Sequence, residues 1–77
     1  MKEVEKDFNL KEMGERLLTL RKERGIGQNE LAKILSLSNA SISYWENGKQ
    51  APSAEVIYKL SKFFGVSSDY ILGVKEW

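Results

Sequence analysis

The chain has 77 residues and a mass of 8.8 kDa, enough for one small domain that buries about 60% of its unfolded surface and too little for a deep catalytic cleft beside the core. Cys and His are absent; thiolate and imidazole ligands, thiol nucleophiles and the commonest general base are missing with them, and no enzyme, metal site or cofactor is expected. Twelve Lys plus Arg against eleven Asp plus Glu leave a net charge of +1, so a polyanionic partner would have to be held by a local arrangement of groups rather than by a basic tail.

The charges are unevenly spread. Residues 1–15 carry three Lys and five acids (net −2), residues 16–24 carry four basic residues and one acid (net +3), and the rest balances five against five. The apolar runs are short, and the acidic start has no apolar signal core, so neither a membrane span nor a signal peptide is expected. With no disulfides, the setting reads as cytoplasmic.

Apolar residues recur at helical spacing throughout, and no segment alternates with period two, so the fold class is all-α. Residues 1–8 read as a flexible arm, 9–74 as the folded domain and 75–77 as a tail. The first helix should start at Asn9 as N-cap, with Glu12 three residues on and Phe8 stapled onto Met13. Leu10, Met13, Leu17 and Leu20 form its apolar stripe, and Gly25 ends it beside Arg21, Lys22 and Arg24. A second helix is predicted from Gln28 to Leu35, with Leu31, Ile34 and Leu35 inward and Ala32 at a close contact. The Ser36-Leu37-Ser38 cluster leaves room only for a tight turn. Ser38 then caps a third helix with Ile42 and Trp45 buried, closed at Asn47-Gly48. After Lys49-Gln50-Ala51-Pro52, Ser53 caps a fourth helix with Ile57, Leu60 and Phe64 inward, ended by Gly65. Ser67 caps a last one from Ser68 to Leu72.

Two short helices joined by a tight turn are the geometry that can hold a helix out from a bundle and lay it in a DNA major groove. Gln28-Asn29-Glu30-Leu31-Ala32, Ser38, Ile42-Ser43, Trp45-Glu46-Asn47-Gly48-Lys49 and Pro52-Ser53, in that order, closely resemble the phage repressor and Cro-like (XRE-type) helix-turn-helix family. The resemblance runs from about Leu10 to Leu72. It implies a five-helix, lambda-repressor-like DNA-binding domain and a transcriptional regulator of a bacterial or phage-infected cell.

The resemblance places Gln28 at a helix start that meets a DNA phosphate, and Asn47 and Lys49 in a second phosphate clamp. Ser38 and Ser41 fall at the backbone edge of the third helix. With Ile42 and Trp45 turned inward, Asn39, Ala40, Ser43 and Tyr44 are left to face base edges. Asn39 suits adenine and Ala40 a thymine methyl; without Arg on this face, an A/T-leaning half-site is expected. The resemblance also pairs Arg21 with Glu46 as a structural ion pair. The chain departs from the family at two places. Ser36 stands where the turn usually carries Gly, and Gly27 stands where the second helix usually has a Thr or Ser cap.

The expected partner is double-stranded DNA, bound by a homodimer on a two-fold operator, with repression as the expected outcome. Tyr58, Phe63, Tyr70 and Trp77 either form an apolar dimer face or are the aromatics that a small domain leaves exposed. The alternative function is an antitoxin-like or adaptor module whose main partner is another protein. Nothing in the pattern suggests a membrane partner.

Overall fold

The computed structural model describes residues 8–76. They form five helices, α1 (Leu10–Glu23), α2 (Gln28–Leu35), α3 (Asn39–Glu46), α4 (Ala54–Phe64) and α5 (Ser68–Leu72), with no strand among them. Residues 1–7 of the arm assigned to residues 1–8, and Trp77, lie outside the described residues. Four helices begin on a side-chain cap: Asn9, Ser38, Ser53 and Ser67 each accept the backbone N–H three residues on, which satisfies one otherwise orphaned donor. The exception is α2, which starts after Gly27 with no side-chain cap.

Every helix end turns through a left-handed residue. At four of them this is Gly25, Gly48, Gly65 or Gly73; at the fifth it is Ser36, with φ 59° and ψ 46°. The Ser36 N–H reaches Lys33 O at 3.3 Å and the Leu37 N–H reaches Ala32 O at 2.8 Å, a Schellman-type closure. From α4, the Lys59 ammonium donates to Leu35 O at 3.2 Å, adding a cation at the negative end of α2. The turn between α2 and α3 is thereby fixed from both sides.

The core gathers Met13, Leu17, Leu31, Ala32, Ile42, Trp45, Leu60, Phe64 and Ile71. Leu10, Leu20, Leu35 and Val56 are partly buried against it, and Ile57 is half-buried. Two expectations fail. Ile34 is 50% exposed: at about 100° per residue, Leu31, Leu35 and Ala32 share one arc of about 100°, and Ile34 lies about 110° from its centre. Phe8 is 53% exposed, whereas Met13 is drawn fully into the core, so a staple does not set the start of α1.

The contact that places α3 is one the apolar pattern does not announce. A Cβ on Gly14 would lie 2.4 Å from Trp45 O and 2.8 Å from Glu46 O, so α1 and the C-terminal turn of α3 touch backbone to backbone. On the other side of α1, Arg16 donates from Nε to Ile71 O at 3.2 Å, which latches α5 onto the bundle.

Candidate nucleic-acid interface

The third helix is divided lengthwise. Ile42, Trp45 and Glu46 are buried, while Asn39, Ala40 and Tyr44 are exposed and Ser43 is half-buried. Tyr44 leaves half of its surface to solvent. One face therefore holds the helix in the bundle, and the other presents an amide, a methyl, a hydroxyl and a phenol.

Arg21, Glu46 and Gln28 fasten that helix in place. Arg21 donates from Nε to Glu46 Oε2 at 2.7 Å and from Nη2 to Oε1 at 2.9 Å, while its Nη1 donates to Ile26 O at 2.9 Å. The same Glu46 Oε1 accepts Gln28 Nε2 at 2.9 Å. One carboxylate thus ties α3 to α1 and to the first residue of α2. The hydrogen bond to Glu46 raises the Arg21 pKa above its ordinary value, against the opposing effect of burial. A raised pKa on a cation gives stability that is complete below the ordinary arginine range and is lost only as pH rises through the raised value. The pair's arginine side is therefore intact throughout the neutral range.

Around this hub lie the groups that sequence reasoning placed on the DNA backbone. Gln28 is half-buried and spends one Nε2 proton on Glu46, leaving the other; the first N–H groups of α2 beside it have no side-chain cap. Ser38 Oγ accepts the Ser41 N–H at 3.0 Å and donates to Ser41 Oγ at 2.7 Å, so the Ser41 hydroxyl proton is the one turned away from this pair. Asn47 is exposed, but its Nδ2 donates to Ser43 O at 2.9 Å and Ser43 Oγ at 3.2 Å, closing the end of α3 with the protons a phosphate would use. Lys49 is exposed beyond Gly48.

The aromatic residues set aside as a dimer face differ in their surroundings. Tyr58 is 63% exposed, with the Lys62 ammonium 5.6 Å from its ring centroid. Phe63 is half-buried and edge-on to Phe64, with the Arg24 guanidinium 4.9 Å from its centroid. Tyr70 is half-buried. Of the three, only Tyr58 stands out from the surface. Two functional features escaped the sequence reading, the Gln28–Glu46 bond and the Gly14 contact. The first needs a distance between α2 and α3, but a lone Gly inside the amphipathic first helix was a visible sign of close packing.

The Helix-turn-helix family model, HTH_3, matches residues 17–71, and the chain belongs to this helix-turn-helix family. It is 40% identical over 65 residues to the HTH-type transcriptional activator BcrR of Enterococcus faecalis, covering 84% of this chain and 32% of that protein. To Repressor protein C2 of Salmonella phage P22 it is 41% identical over 65 residues, covering 84% and 30%. The chain thus spans about a third of the length of these relatives. The crystal structure of the P22 c2 repressor in complex with synthetic operator 9T superposes with a TM-score of 0.77 at 40% identity, covering 82% of this chain and 96% of that one. The five-helix repressor-like fold read from the sequence is the fold observed.

Proposed function

We propose that the protein is a transcriptional regulator that binds duplex DNA sequence-specifically, with α3 as the recognition helix. The observation that carries this is the division of α3, which buries Ile42, Trp45 and Glu46 and leaves Asn39, Ala40 and Tyr44 free. The likeness to a repressor solved on its operator supports it. Asn39 pairs with adenine, Ala40 packs on a thymine methyl, and Ser43 and Tyr44 supply hydroxyl donors; with no Arg among them the preferred half-site leans to A/T. Gln28 with the α2 amides, Ser38, Ser41 and Lys49 hold phosphates and set the register. Asn47 joins them only by releasing Ser43.

One helix reads a few base pairs, so useful specificity calls for two copies on a two-fold site with centres about 34 Å apart. We therefore read the active form as a homodimer, with Tyr58 and Tyr70 the aromatic residues to examine at its interface. The direction of regulation is read as repression, because occupying an operator excludes another protein without any further contact. An activator and a repressor match this chain almost equally, which fits a domain that supplies the DNA address in either case.

Titration of the isotopically labelled protein with duplex DNA, followed by amide NMR, tests the assignment. Shifts are expected to cluster on α3 and the start of α2. Shifts centred on Tyr58 and the outer side of α4, or none, would move the function to the protein-partner alternative.

A further inference from the structure

A Cβ on Gly48 would lie 3.0 Å from the Cα of Lys11, so the first turn of α1 rests directly against the turn that follows α3. Lys49 is the next residue, and the two lysines therefore flank one contact although they stand far apart in sequence. Both are exposed. Among the described residues the ion pairs are Arg21 with Glu46 and Lys75 with Asp69, so neither Lys11 nor Lys49 is neutralised by a carboxylate there.

Helix stability does not explain a cation at Lys11. It is the second residue of α1, where the positive end of the helix dipole disfavours a positive charge. The end of α3 does not call for one either, since Tyr44 O and Trp45 O already accept the N–H groups of Lys49 and Gly48 at 2.9 and 3.1 Å. Two exposed lysines with no carboxylate partner among the described residues therefore flank the C-terminal end of α3.

We propose that Lys11 is a DNA-backbone residue, paired with Lys49 in a clamp on the phosphates beside the C-terminal end of α3. The assignment rests on the DNA-binding reading above and adds a contact from α1, outside the motif positions that carry that reading. Neutralising a phosphate with a lysine releases a counterion, so each such contact has its own signature in the salt dependence of binding.

The test is fluorescence anisotropy with a mixed-sequence duplex of about 25 base pairs across about 50 to 200 mM salt, on wild type, Lys11→Gln, Lys49→Gln and the double variant. The slope of log affinity against log salt is expected to fall by about 0.9 for each lysine and about 1.8 for both. The loss of affinity across that range then shrinks about 3.5-fold per lysine. Lys11→Arg is expected to keep the wild-type slope, as is Lys62→Gln on α4, and melting temperatures are expected to stay together. A wild-type slope in Lys11→Gln overturns the clamp even if affinity falls, and so does an equal drop in Lys62→Gln. A folded wild-type chain that binds no duplex overturns the DNA-binding reading itself and the clamp with it.

Discussion

Arg21 and Glu46 stand 25 residues apart and meet through two N–H···O bonds of 2.7 and 2.9 Å, with side chains 11% and 4% exposed. Truncating one partner strands the other charge inside the protein, at a cost of about 3–5 kcal/mol. For a domain of this size that is a fall in melting temperature of about 12 °C or more. Thermal denaturation of Arg21→Ala followed by circular dichroism checks it; an unchanged midpoint would show that the pair does not hold α3 to α1.

Ser36 adopts the left-handed conformation that glycine takes at the other four helix ends. For an L-residue this conformation costs about 1–2 kcal/mol, offset in part by the greater freedom of an unfolded glycine. Ser36→Gly is expected to stabilise the fold by about 1 kcal/mol, a rise of about 4–8 °C, while Ser36→Ala gains nothing. Equal melting temperatures for the Gly and Ala variants would mean that the turn is not strained.

At Gly14 the expected sign is opposite. Its Cβ would collide with two main-chain carbonyl oxygens, which cannot turn aside as a flexible side chain does. Gly14→Ala is expected to cost about 3 kcal/mol by forcing α1 and α3 apart, even though Ala is the better helix former by about 1 kcal/mol. Gly27→Ala, with open space around the new Cβ, is the control. Chemical denaturation of the two variants separates the cost of the collision from that of an added methyl in open space, and a Gly14→Ala protein as stable as wild type would refute the close approach.

Four of the five helices were legible because each carries its own punctuation, while α2, with neither a side-chain cap nor a closing glycine, was read from its apolar spacing and the Ser36-Leu37-Ser38 turn. Asn9, Ser38, Ser53 and Ser67 announce the starts, and the glycines announce the ends. Ile34 was misplaced because two turns of helix are too short for i, i+3 spacing to fix the centre of the buried arc; Leu35 and Ala32 settle it on the other side of Leu31. The Arg21–Glu46 pair came from the family likeness, since nothing in the spacing of two charges 25 residues apart requires them to meet. Gln28 shows the limit of reading a site in one dimension: its motif position points to phosphate, and only the fold reveals that Glu46 grips the same amide.

That shared grip makes Gln28 a test of positioning. Gln28→Ala is expected to lose about 1 kcal/mol of stability, because Glu46 keeps both bonds from Arg21, and to weaken binding to all duplexes alike. Competition between two unrelated duplexes checks it. A change in which of them is preferred would place Gln28 among the base-reading residues.

The most direct test of α3 as a reading helix is selection from a pool of random duplexes at about 100 mM salt, run in parallel on the wild type and on an Asn39→Ala, Tyr44→Ala double variant. Each good base contact is worth about 1–3 kcal/mol of discrimination, and both side chains are exposed, so the variant should fold normally and lose its preference. The expected result is an inverted repeat rich in A/T, with half-sites about one helical turn apart, enriched by the wild type alone. Enrichment of the same sequence by the double variant, or of none by the folded wild type, would contradict it.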